Sequence, residues 1–132
     1  AVVADKLEFG VESFSIDLEN IQKNNMILDV GGKTVELISN AIINSKTLLW
    51  NGPLGVFEIP PFDESTSSCA LTAAMMTRAG GLVSVAGGGD TVAALNHAGA
   101  SGGFSYISVA GGAFLEWIEG KILPGIKVLN TN

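Results

Sequence analysis

Short apolar blocks alternate with polar stretches along this chain, and glycine closes most of the blocks. "VVA" (2–4) reads as the end of a strand, followed by a long mixed connection over 5–24. "MILDV" (26–30) is a short apolar run of the kind that forms a buried strand. Between 33 and 45, Val35, Leu37, Ile38, Ala41 and Ile42 recur at helical spacing. "TLLW" (47–50) is the next strand, and the loop 51–64 after it holds three of the four prolines. Residues 65–80 predict a helix that opens on small capping residues and closes at Gly80. "LVSVA" (82–86) is a strand, and 87–99 is a glycine turn feeding a short helix. "FSYISVA" (104–110) is another strand, 111–120 another glycine turn and helix, and "LPG" then breaks the chain.

Strands that alternate with helices at this interval predict an α/β fold, a three-layer parallel sheet with helices on both faces. There is no internal repeat beyond that rhythm. Ligands of such sheets sit at the carboxyl ends of the strands. Four strands here end in glycine-bearing turns, at Gly31-Gly32, Gly52/Gly55, Gly87-Gly88-Gly89 and Gly111-Gly112, so all four turns are expected near one sheet edge. Backbone amides converging there suit a phosphate ligand.

Composition narrows the picture. The 132 residues are about one domain, and 47% apolar content is enough for a core. A net charge of −6 argues against a nucleic-acid surface, which needs basic patches. No apolar run reaches the roughly 18–20 residues of a membrane span. The single cysteine, Cys69, cannot form an internal disulfide and fits a reducing compartment. It lies on an apolar helix face, where a packed thiol is expected, and Phe114, Trp117, Met75 and Met76 read as core. The start at Ala1 within a strand-like run suggests a piece of a longer protein.

Several motifs carry more than one reading. "GGKT" (31–34) resembles the end of a P-loop, but that loop needs a glycine at position 27, which is Ile27. A glycine turn with Thr34 near a helix start accounts for it better. "GGGDTV" (87–92) resembles a dinucleotide fingerprint with Val92 in place of the last glycine. The acid that such a fingerprint wants about 20 residues on is absent from the next strand, which counts against an NAD-dependent domain. Asp90 either caps its own helix or faces a Mg²⁺ ion on nucleotide phosphates. His97, late in a short helix, reads as a helix-end residue rather than a catalyst.

Taken in order, "VVADK", "MILDVGGKT", "WNGPLGVFE", "GGGDT" and "FSYISVAGGAFLEWIEGKILPG" resemble the carboxyl-terminal part of phosphoglycerate kinases over essentially the whole chain. The resemblance implies a cytoplasmic, glycolytic kinase that transfers a phosphoryl group reversibly between 1,3-bisphosphoglycerate and ADP, giving 3-phosphoglycerate and ATP. It implies two α/β domains, monomeric when full length. Residues 1–132 would be the carboxyl-terminal part of the Rossmann-like nucleotide domain, with the phosphoglycerate-binding domain absent from this chain. It further implies that Glu58 accepts from the ribose hydroxyls, that Asn51 faces the phosphates and that Pro53 stiffens the loop. Leu7 and Leu28 would flank adenine. Asp90 would hold the Mg²⁺ of the nucleotide and Thr91 a neighbouring phosphate. The amides of Gly88, Gly89, Gly111 and Gly112 would cradle the phosphates, with Gly89 and Gly112 at the transferring group.

The chain departs from the family pattern at a few places. Leu7 stands where Phe is usual, Val109 where Thr is usual, Gly32 where Pro is commoner, and "DEST" (63–66) replaces a frequent Gly-Thr ending while keeping Thr66. The alternative is a non-catalytic, truncated nucleotide-binding fragment, and the chain by itself is expected to catalyse no transfer.

Overall fold

The computed structural model describes residues 1–129. Strands β1 (Val2–Ala4), β2 (Phe14–Ser15) and β3 (Met26–Asp29) come first, followed by helix α1 (Gly32–Asn44). Then β4 (Thr47–Trp50), α2 (Glu64–Arg78), β5 (Val83–Gly87), α3 (Gly89–His97), β6 (Tyr106–Ser108), α4 (Gly112–Ile118) and α5 (Pro124–Leu129) follow. The expected α/β architecture is present: β4, β5 and β6 form a parallel sheet in that order, flanked by helices.

The strands do not all join one sheet. β1, β2 and β3 form a separate antiparallel sheet with β1 in the centre. The connection explains it. A parallel crossover needs a dozen or more residues, usually a helix, to carry the chain back. Residues 5–24 contain only β2 and a 3-10 turn at Leu18–Asn20, so the chain returns antiparallel. The final strand is also shorter than its apolar run, covering Tyr106–Ser108.

The parallel sheet has two unlike faces. On one, Ser84 and Ala86 of β5 are fully buried, and Trp50 joins Ile42, Leu95 and the small residues of α2 in the main core. Cys69, Ala70, Ala73 and Ala74 make the buried stripe of α2 at helical spacing. The Cys69 thiol is packed, as expected, and burial pushes its pKa up. Such small side chains let neighbouring backbone approach. A Cβ on Gly103, in the 3-10 turn before β6, would lie 2.5 Å from the Ala74 Cβ and 3.0 Å from its Cα. Buried Ser84 stays satisfied by exchanging hydrogen bonds with Ser105 and by its contact with the Thr77 hydroxyl at 2.7 Å.

The other face carries a groove of about 780 Å³ between the sheet (Leu49, Val85, Tyr106) and the last helices (Phe114, Trp117, Ile126). Two expected core residues are therefore not core. Trp117 is 58% exposed because α4 has no further layer over it among the described residues. Met75 is 60% exposed because it falls on the outward side of α2, while Met76 packs against the core. Phe114 is half-buried, in ring contact with Tyr106.

Replacing Gly103 with Ala should destabilise the protein by about 1–3 kcal/mol, the usual cost of overpacking a tight contact. Denaturation curves of the two proteins measure it, and equal stability would show that the Gly103–Ala74 contact can relax.

Candidate functional site

Residues 51–58 leave the end of β4 as a loop of unusual order. Each backbone N–H from Gly52 to Phe57 has an acceptor inside the protein. Gly52 donates to Thr91 Oγ1 at 2.7 Å. Leu54 and Gly55 both donate to Thr66 Oγ1, at 3.0 and 3.4 Å. Val56 donates to the Leu28 carbonyl at 2.9 Å and Phe57 to that of Gly55 at 2.9 Å, while Pro53 has no N–H to place. The Trp50 indole donates to the Gly52 carbonyl at 2.8 Å, and its ring meets Phe104 edge-on. Phe57 is buried and Glu58, next along, is exposed.

Three of the four glycine turns come together, as the parallel topology requires. Gly52 is tied to Thr91 at the start of α3, and the Gly88 amide donates to the Ser108 carbonyl at 3.3 Å. A Cβ on Gly88 would sit 3.6 Å from Asn51 Oδ1, and one on Gly111 would sit 3.7 Å from the Gly88 Cα. Gly88 (φ 104°) and Gly111 (φ 51°) occupy the left-handed region as α3 and α4 begin, so a side chain at either would be strained. The fourth turn lies elsewhere: Gly31 faces Ala1 and Ser15 of the antiparallel sheet.

The residues singled out from sequence fall into distinct places. Asn51, Gly89, Asp90 and Gly112 are exposed at the junction turns, Gly88, Gly111 and Pro53 are half-buried, and Glu58 is exposed at the far end of the 51–58 loop. Thr91 is 1% exposed, with its hydroxyl oxygen accepting the Gly52 amide. Leu28 is 5% exposed in a small core with Ala4 and Phe62, whereas Leu7 is 40% exposed. His97 ends α3, where its Nε2 lies 2.8 Å from the Asp63 carboxylate. No cluster of three or more acidic, histidine or cysteine side chains suited to a metal occurs among the described residues.

Sequence reading missed two supports. Thr66 bonds the loop, as described. Asp29, 3% exposed at the end of β3, accepts from the Val30 amide at 2.8 Å and the Ser65 amide at 3.2 Å. The Ser65 hydroxyl returns a bond to the Val30 carbonyl at 2.7 Å. Asp29 thus caps α2 from another element, since Asp63 at the cap position makes no such bond. The only local signal was a carboxylate inside the apolar run "MILDV".

The family model for phosphoglycerate kinase matches residues 1–121. Phosphoglycerate kinases of a Caulobacter species and of Agrobacterium fabrum are 56% and 58% identical over 130 residues. Those alignments cover 98% of this chain but 33% and 32% of the relatives, so the chain spans about a third of their length. The solved phosphoglycerate kinase of Coxiella burnetii superposes with a TM-score of 0.87 at 41% identity, over 97% of this chain and 32% of that one. The Pyrococcus horikoshii phosphoglycerate kinase gives 0.78 at 29% identity, over 97% of this chain and 30% of the other.

Asp29 carries a pH prediction. Burial raises its pKa above the ordinary carboxylate value of 3.8, and the hydrogen bonds from Ser65 and Val30 pull it down without cancelling that rise. The folded state thus holds this proton more tightly than the unfolded chain does. The resulting stabilisation is full below 3.8 and is lost as pH rises through the raised folded value. Asp29→Asn removes the titration. The stability of the natural protein relative to Asp29→Asn should fall with pH across that window and stay level above it. Urea denaturation at stepped pH reads this, and a difference that grows with pH would contradict it.

Proposed function

The chain belongs to the phosphoglycerate kinase family, and from that membership we propose that it supplies the Mg-nucleotide half of a glycolytic phosphotransferase. The reaction is reversible phosphoryl transfer between 1,3-bisphosphoglycerate and ADP, giving 3-phosphoglycerate and ATP. Residues 1–132 are, on this reading, the carboxyl-terminal part of the nucleotide domain, with the phosphoglycerate site on a domain outside this chain. The observation that carries the reading is the junction of the Gly52, Gly88 and Gly111 turns at the carboxyl ends of β4, β5 and β6.

Phosphoryl transfer asks a protein for positioning and charge stabilisation more than for covalent chemistry. The pinned loop would hold Glu58 ready to accept from the ribose hydroxyls, with Asn51 beside the phosphates. The start of α3 would present the Gly89 amide and the positive end of the helix to phosphate oxygens. Gly111 and Gly112 would line the path of the transferring group. Within this junction Thr91 acts by holding Gly52, since its oxygen is engaged and its side chain is buried. Asp90 would hold Mg²⁺, which when bound with the nucleotide offsets charge on the phosphate oxygens. With the phosphoglycerate site outside it, the chain by itself would transfer nothing, and weak nucleotide binding would be left to Asp90 and the glycine turns.

Two substitutions in the intact polypeptide that carries this chain separate binding from chemistry. Glu58→Ala should weaken ADP binding roughly ten- to a hundredfold, the equivalent of a charge-assisted hydrogen bond, with a smaller effect on turnover. Calorimetric titration measures it, and equal affinity of the natural protein for ADP and 2′,3′-dideoxy-ADP would count against the ribose contact. Asp90→Asn should lower turnover by about tenfold or more, most of all at limiting Mg²⁺. Unchanged turnover there would sink the site assignment.

A further inference from the structure

We propose that Thr66 is a positioning residue for the nucleotide loop, setting the ADP affinity of the protein without touching the ligand. The inference rests on the nucleotide site proposed above. Thr66 is 1% exposed, in the first turn of α2, so it has no surface to offer a substrate. Its hydroxyl oxygen is the acceptor for two consecutive amides in the middle of the loop, Leu54 at 3.0 Å and Gly55 at 3.4 Å. Thr91 holds the beginning of the same loop through Gly52, and the Leu28 carbonyl holds its later part through Val56. Thr66 is thus the middle of three anchors, each from a different element.

The position of Thr66 is itself determined. Its neighbour Ser65 is bonded through its amide to Asp29 and through its hydroxyl to Val30, which fixes the first turn of α2 against the end of β3. The loop presses on that joint: a Cβ added at Gly55 would overlap the Asp29 carboxylate and come 2.6 Å from the Phe62 carbonyl. Removing the Thr66 oxygen leaves two half-buried amides without their acceptor, beside a joint whose own polar groups are already engaged with one another. The loop must then move outward to water. Glu58 lies three residues beyond Gly55, and with the middle anchor gone only the Val56–Leu28 bond and buried Phe57 hold the segment that carries the proposed ribose contact. An ordered loop loses little entropy on binding, and a loosened one loses more.

The test compares Thr66→Val, which keeps the volume and removes the oxygen, with Thr66→Ser, which keeps the oxygen and removes a methyl. Both are made in the intact polypeptide, with kcat and with KM for MgADP and for the phosphoglycerate substrate. Thr66→Val should raise KM for MgADP about tenfold while the other KM stays within about twofold, and Thr66→Ser should restore most of the loss. In the natural protein without nucleotide, the Leu54 and Gly55 amides should be protected from hydrogen exchange. A valine variant with lower melting temperature but unchanged KM for MgADP would reduce Thr66 to a packing residue and overturn the proposal. So would a serine variant no better than valine, or unprotected amides. If the valine protein does not fold, the serine kinetics and the exchange in the natural protein decide. A natural protein with no ADP-dependent transfer would remove the proposed function, while the exchange result would still judge the anchor.

Discussion

A loop that folds back on a protein must find an acceptor for every amide it takes out of water, and this requirement shapes the site. Between Trp50 and Glu58 the chain has no helix or sheet ladder to satisfy it. Two threonine hydroxyls, from the starts of α2 and α3, and one strand carbonyl take four of its amides instead, and the Gly55 carbonyl takes that of Phe57. Each anchor is nearly or fully buried. Each also fixes the loop to a different element, so the loop geometry is inherited from the packing of β3, α2 and α3.

That packing depends on small side chains. The alanine and cysteine stripe of α2 lets the helix lie close to the sheet and to the turn at Gly103. The parallel order β4-β5-β6 then places three carboxyl ends side by side. Glycine is required where the backbone turns into α3 and α4, and the first of these turns lies beside Asn51. The chemistry proposed for the site calls for aligned donors and a carboxylate, and Asp90 at the start of α3 is exposed.

Much of this was legible in the residue pattern. Helical spacing located α1 and α2 within one or two residues, and the glycines after β4, β5 and β6 marked the turns that meet, whereas those after β3 marked one that lies elsewhere. What was not legible depends on partners far apart in the chain. The antiparallel pairing of β3 follows from the lack of a helix between residues 5 and 24, a tertiary consequence that an apolar run cannot reveal. Thr66 and Asp29 act on backbone amides 12 and 36 residues away, and nothing in their neighbourhood announces that. The exposure of Trp117 likewise reflects which layer lies over α4, and an apolar helix face looks the same whether covered or open.

On the proposed function, the glycine turns at the ends of β4, β5 and β6 form the nucleotide site. Titrating the intact polypeptide, labelled with ¹⁵N-glycine, with MgADP tests it most directly. Amide shifts should concentrate at Gly52, Gly88, Gly89, Gly111 and Gly112, with Gly31 and Gly32 unaffected. Shifts centred on Gly31 and Gly32, or a saturating titration that leaves the three junction turns unmoved, would contradict it.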